Sequence, residues 1–83
     1  SMVEKGIMDG DYAVIKRAQT ARNGEIVVAL IDGWEATLKT LFNRDNGVVE
    51  LRPENNEMES MFFQAKQVII QGVMVGLIRD QTF

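Results

Sequence analysis

Hydrophobic and polar residues alternate along most of this chain, with the period of two that is typical of half-buried β-strands. The alternation is clear over residues 12–18, and it returns in the segments GWEATLKTLF and VVELRP, the second of which is ended by Pro53. Between them, Ile26–Ile31 is an almost continuous apolar run. Such a run is expected of a strand that is covered on both faces.

Turn residues separate these segments. Asn23-Gly24 and Asn46-Gly47 are Asn-Gly pairs, which are strong hairpin signals because both residues tolerate a positive φ. The last apolar run, residues 67–79, contains Gly72 and Gly76, which indicate bends or bulges within a strand. A single helical turn is expected within residues 2–8. The pattern predicts one mostly antiparallel, all-β domain of about six short strands over residues 1–83.

The last run is apolar on both faces if its side chains alternate strictly. One face then carries Val68, Ile70, Met74 and Ile78, and the other carries Ile69, Val73, Val75 and Leu77. Either this strand lies in the centre of the sheet, or a second copy of the chain covers one of its faces in a dimer.

Composition excludes several kinds of site. The 83 residues include no histidine and no cysteine, so Ser-His-Asp triads, Cys-His pairs and zinc sites built on these residues are ruled out. The net charge is −3 with scattered basic residues, which argues against an autonomous nucleic-acid-binding patch. The longest apolar stretch is far shorter than the ~20 residues that span a bilayer. We expect a cytoplasmic domain without metal or cofactor, and a hydrolase of this composition would need Lys, Asp, Glu or an N-terminal amine as its base.

Lys39 and Ser1 are the candidate residues for such chemistry. In EATLKTLF, Lys39 shares a strand face with Thr37 and Leu41, the less apolar side of the segment, where these two neighbours could half-bury it. A lysine that acts as a general base must be neutral, which requires its pKa to fall from about 10.4 to about 7–8, a shift that burial can supply. Most lysines at such positions are instead solvated surface charges. Ser60 is expected to start a strand or turn, whereas Ser1 is either a nucleophile or the residue of an expression tag.

A set of motifs in order along the chain resembles one family. SM is followed by GIMDGDY, NGEIVVALIDG, EATLK, ELRPEN and VMVGLIR, and this series is similar to the C-terminal domain of the LexA repressors. The resemblance extends to the UmuD proteins and phage repressors and, more distantly, to signal peptidases. It covers essentially the whole chain and implies a small LexA/signal-peptidase-like β fold that is truncated at its N-terminus.

The resemblance implies a Ser-Lys peptidase that cleaves its own chain. Ser1 matches the nucleophile of the family and Lys39 matches its general base. The family cuts an upstream Ala-Gly bond when stimulated by the RecA–single-stranded DNA filament, which separates this domain from an operator-binding domain. The resemblance also implies a homodimer, and it implies that operator DNA is bound only through the N-terminal domain that is absent here. A chain that lacks the cleavage-site segment is expected not to cut itself in cis.

Other interpretations remain at this stage. The chain could belong to a UmuD-like protein or to a prophage repressor. It could be a dimerisation domain with a solvated Lys39, or it could use Ser1 and its own α-amine as an N-terminal nucleophile without Lys39. Thr40 also stands where the family commonly has a basic residue, which affects a surface contact and leaves the proton transfer unchanged.

Overall fold

The computed structural model describes residues 11–53 and 57–79, which form one six-stranded antiparallel sheet in the order β1-β6-β2-β3-β4-β5. The strands are β1 (Tyr12–Arg17), β2 (Ile26–Ile31), β3 (Glu35–Asn43), β4 (Val48–Arg52), β5 (Met61–Gln64) and β6 (Val68–Ile78). This confirms the all-β, antiparallel prediction. The helical turn expected within residues 2–8 lies outside the described residues, as does Ser1.

Two tight turns connect the central strands. Asn46 and Gly47, with φ values of 61° and 72°, join β3 to β4 as the Asn-Gly signal predicted. β2 and β3 are joined at Asp32 and Gly33, whose φ values are 51° and 75°, and the Trp34 N–H donates to the Ile31 carbonyl at 3.0 Å. Two consecutive residues with positive φ match the twist of a hairpin.

The other Asn-Gly pair does not form a hairpin, and that prediction was wrong. Asn23 and Gly24 lie between β1 and β2, but β6 separates these two strands in the sheet. The Gly24 N–H instead donates to the Leu41 carbonyl at 2.8 Å, and the Asn43 N–H donates to Asn23 Oδ1 at 2.7 Å. The pair therefore fastens the β1–β2 connection to the end of β3.

One face of the sheet carries the hydrophobic core, and we call it the core face and the opposite one the outer face. The core cluster consists of Val27, Ala29, Ile31, Leu41, Val49, Leu51 and Val73. β2 supplies three of these residues, and its own side chains are all buried or half-buried. The apolar run of β2 was therefore correctly predicted to be covered on both faces.

β6 has two irregularities, as its glycines indicated, so the two faces that strict alternation would give it do not hold. Val28 pairs with Gly72 whereas Ala29 pairs with Ile70, so Gln71 is an extra residue opposite β2. The second irregularity, opposite β1, leaves Val75 as an extra residue. Because an extra residue reverses the alternation that follows it, Val73 joins Val68 and Ile70 on the core face.

β6 lies inside the sheet, between β1 and β2. This agrees with the first of the two interpretations of its apolar run, a strand in the centre of the sheet. Val73 is buried there. Its flanks are different, because Ile69, Val75 and Ile78 are 56%, 61% and 58% exposed. Exposed apolar side chains therefore remain towards both ends of this strand.

Candidate functional site

Lys39 occupies the middle of β3 and points to the core face. It pairs with Val27 on β2, and Thr37 pairs with Ala29; directly paired residues share a face of the sheet. The less apolar side of β3 is therefore the side that meets the core, because the neighbouring strand supplies the apolar residues. Lys39 and Thr37 are both half-buried, which is one of the two environments that the sequence allowed for Lys39.

The Lys39 amine is held by two oxygen atoms of its own strand. Nζ donates to Thr37 Oγ1 at 2.9 Å and to the Leu38 carbonyl at 3.3 Å. The first contact follows from the spacing, because residues two apart on a strand project from the same face. The side chain of Lys39 is thus oriented by neighbours that come from its own segment.

This arrangement leaves room for a further hydrogen bond. Thr37 Oγ1 and the Leu38 carbonyl oxygen take two of the N–H groups of the amine, and a hydroxyl group that approaches the core face would meet the remaining position on Nζ. The sequence suggested only that Thr37 could half-bury Lys39. The position of Thr37 two residues before the lysine on the same strand was the signal for the hydrogen bond between them.

Ser1 lies outside the described residues, so the structure brings Lys39 together with Thr37 and does not test the pairing of Lys39 with Ser1. Ser60 is not a partner of Lys39 among the hydrogen bonds of the described residues. It immediately precedes β5, as its predicted place at the start of a strand requires, and its hydroxyl donates to Glu50 Oε2 at 2.7 Å.

Glu50 is the centre of a second polar cluster, which sequence reasoning missed. It lies on β4 with only 4% of its surface exposed, and it points to the outer face because it pairs with Phe42. Arg44 Nη2 and Arg52 Nε donate to its two carboxylate oxygens at 2.6 Å and 3.0 Å. Hydrogen bonds from Ser60 and the two arginines outweigh burial and lower the pKa of the Glu50 carboxyl to about 2.

The same two arginines cover an aromatic ring. The Arg44 and Arg52 guanidinium carbons lie 5.0 Å and 4.2 Å from the centre of the Phe42 ring, within the range of cation–π contacts. The cluster therefore ties the β3–β4 hairpin to the segment before β5. It lies on the opposite face from Lys39 and has the form of a structural network.

A cavity of about 350 Å³ opens on the core face beside the β1–β2 connection, and Lys16, Ala21, Glu25 and Val73 are among the residues that line it. Val73 pairs with Val27, which pairs with Lys39, so the cavity is two strands away from the lysine. Residues 11–53 and 57–79 contain no cluster of three or more acidic side chains that could hold a metal ion. The same residues contain no helix long and apolar enough to cross a membrane.

Comparison with known proteins gives the family. The Peptidase S24-like family profile matches residues 1–75. The chain is 49% identical over 79 residues to the LexA repressor of Novosphingobium aromaticivorans, covering 95% of this chain and 33% of that protein. It is 52% identical over 79 residues to the LexA repressors of Erythrobacter litoralis and Thermotoga petrophila, again over 95% of this chain and over 34% and 39% of those proteins.

The chain thus spans roughly a third of the length of these curated relatives. The match includes both Ser1 and Lys39, and it agrees with the all-β sheet that holds Lys39 on its core face. The chain belongs to the Peptidase S24-like family, as its resemblance to the LexA repressors predicted.

Proposed function

We propose that this chain is the latent Ser-Lys autopeptidase and dimerisation domain of a cytoplasmic repressor of the SOS response to DNA damage. The observation that carries the proposal is the Lys39 amine, which is half-buried on the core face and oriented by the Thr37 hydroxyl at 2.9 Å. Family membership supports a peptidase, and similarity to LexA repressors supports a repressor.

The proposed reaction is hydrolysis of a peptide bond upstream in the same chain. The neutral Lys39 amine accepts the proton of the Ser1 hydroxyl as Ser1 Oγ attacks the carbonyl carbon. Lys39 then returns that proton to the leaving amine, and an acyl-enzyme remains. Water, deprotonated by Lys39, hydrolyses the ester and regenerates Ser1. Operator DNA is bound by a separate N-terminal domain, and the RecA–single-stranded DNA filament stimulates cleavage.

The experiment uses a chain that carries this domain with its native upstream segments. It is incubated at pH 7 and at pH 10, and at pH 7 with RecA filaments, and its products are followed by intact mass. We expect cleavage that is faster at pH 10 and with filaments, because both the neutral lysine and a bound stimulating partner favour the reaction. Ser1→Ala and Lys39→Ala should stay whole, whereas Lys66→Ala, which changes an exposed lysine, should cleave normally. Equal cleavage by Lys39→Ala would contradict the proposal.

A purely structural dimerisation domain is the second candidate, and the exposed apolar side chains of β6 favour it. Ile69, Val75 and Ile78 are all more than half exposed, and a second copy of the chain could cover such side chains. Dimerisation is part of both candidates, so sedimentation equilibrium tests it without separating them. Self-cleavage separates them, because a dimerisation domain would leave the parent chain intact under all three conditions.

A further inference from the structure

The two Asn-Gly pairs of the chain differ in how firmly the fold holds them. Asn46 and Gly47 form the exposed tip of the β3–β4 hairpin, with φ values of 61° and 72°. They belong to a single 3₁₀ turn, Asp45–Gly47, whose start has no side-chain cap. Within the part of the chain that the structure describes, the Asn46 side-chain amide has no hydrogen-bond partner. This pair is therefore held by the backbone of its own hairpin.

Asn23 and Gly24 are instead fastened to β3 through both of their polar groups. The N–H and Nδ2 of Asn43 donate to Asn23 Oδ1 at 2.7 Å and 3.1 Å. The Gly24 N–H donates to the carbonyl of the buried Leu41 at 2.8 Å, and the Leu41 N–H donates to the Glu25 carbonyl at 2.9 Å. The side-chain carbonyl of this asparagine and the nitrogen of this glycine are therefore both engaged.

Those two groups are the ones that react when an Asn-Gly pair loses ammonia. The glycine nitrogen gives up its proton to a base and bonds to Cγ of the asparagine, the Cγ–Nδ2 bond breaks, and ammonia leaves a five-membered succinimide. Water then opens the ring at one of its two carbonyl carbons, which gives aspartate or isoaspartate. Glycine favours the first step because no side chain hinders its approach. In a folded chain the turn must also open, so that the nitrogen can reach Cγ.

We propose that Asn46 is a site of spontaneous deamidation in the folded protein, and that the fold protects Asn23 from the same reaction. Local opening costs least where the backbone is exposed and few contacts have to break, which describes the hairpin tip. Opening at Asn23 has to break hydrogen bonds to β3 on both reacting groups. Reaction at Asn46 places a carboxylate beside Asp45 or, as isoaspartate, extends the backbone through Cβ and Cγ, which changes the turn that joins β3 to β4.

The test follows both asparagines in the same chain, folded in buffer and unfolded in concentrated urea. Samples are incubated at mildly alkaline pH, below the temperature of thermal unfolding, and are digested briefly at acidic pH. Peptide mass detects the replacement of NH₂ by OH at each asparagine, and chromatography separates the aspartate and isoaspartate products. Asn46→Gly is the matched control, because Gly-Gly also suits a hairpin turn with positive φ and cannot deamidate.

In the folded protein we expect Asn46 to deamidate about tenfold faster than Asn23 or more, because the hydrogen bonds to β3 must break before Asn23 can react. In urea the two rates should become similar, since both asparagines are followed by glycine. Asn46→Gly should lose the product at the hairpin tip and leave the rate at Asn23 unchanged. A ratio of the two rates in the folded protein no larger than that in urea would overturn the inference, and so would an Asn46 that reacts only in urea.

Discussion

At the scale of single residues, the structure places two polar side chains on opposite faces of the sheet, Lys39 on the core face and Glu50 on the outer face. Lys39 has a partner in its own segment, and Glu50 has three partners from different parts of the chain. Lys39 lies on β3, near the centre of the sheet, whereas Glu50 lies on β4, next to the edge strand β5. Glu50 therefore contributes to stability, and the proposed proton transfer depends on Lys39.

Removing the Ser60 hydroxyl tests the stabilising cluster. The low pKa of Glu50 means that its stabilisation is fully present above the ordinary value of 4.5, and is lost as the pH falls towards 2. Ser60 contributes the largest lowering effect. Ser60→Ala should raise the pKa of Glu50 and cost about 1–2 kcal/mol of unfolding free energy at pH 7, measured by urea denaturation.

The pH dependence distinguishes this explanation from a general loss of packing. Between pH 5 and pH 2.5, stability should fall less steeply in Ser60→Ala than in the parent, because the folded and unfolded pKa values of Glu50 come closer together. Ser60→Thr keeps the hydroxyl and is the control. An identical pH slope in the parent and in Ser60→Ala would show that the hydroxyl does not support the Glu50 carboxylate.

The sequence was a partial guide at this scale. It placed Lys39 on one strand face with Thr37 and Leu41 as neighbours that could half-bury it, because residues two apart on a strand share a face. The sequence of β3 alone could not show which of its faces meets the core, because its more apolar side faces outward. The apolar residues beside Lys39 and Thr37 are Val27 and Ala29, which come from β2. Glu50 was missed for the same reason, since its partners Arg44 and Ser60 are brought to it by turns.

At the scale of elements, β6 shows why its glycines matter. A Cβ added to Gly72 would lie 2.3 Å from Ile15 Cγ2 and 3.0 Å from the Lys16 carbonyl oxygen. The second of these is backbone, which cannot rotate away. β1 therefore packs so closely on β6 at this point that a side chain does not fit.

Gly72→Ala should consequently destabilise the 83-residue chain by about 1–3 kcal/mol, the usual cost of overpacking. Gly76→Ala is the matched control, because its Cβ would meet Val14 atoms at 3.6 Å and 3.7 Å, which is ordinary contact. We expect the control to change stability by less than about 1 kcal/mol. Thermal and urea unfolding measure both variants, and equal losses would contradict the close approach seen at Gly72.

The turn residues predicted where strands end better than they predicted which strands are neighbours in the sheet. Asn46-Gly47 forms the hairpin that its sequence indicated, whereas Asn23-Gly24 lies between strands that are separated by β6. A turn signal is local, but strand order depends on which apolar faces are buried together. Gly72 and Gly76 indicated irregularity in β6, but their sequence did not reveal that Gln71 and Val75 are the extra residues.

At the scale of the whole molecule, β2 separates Lys39 from the exposed apolar side chains of β6. Lys39 lies on β3, near the centre of the sheet, and the exposed flanks of β6 lie towards the β1 edge. Asp11 and Arg79 form an ion pair at that same edge, where Arg79 Nη2 lies 3.1 Å from Asp11 Oδ2.

Activation of Ser1 by Lys39 is the central claim, and the rate at which Ser1 reacts with a fluorophosphonate probe tests it most directly. The chain used carries native residues before Ser1, so that this residue has its peptide N–H. Lys39→Met and Thr37→Val are compared with the control Lys66→Met, and intact and peptide mass identify the labelled residue. We predict that labelling of Ser1 accelerates with pH in the parent and in the control, that it slows about tenfold or more in Thr37→Val, and that it is nearly abolished in Lys39→Met. Labelling of Ser1 at the parent rate in folded Lys39→Met would contradict the account.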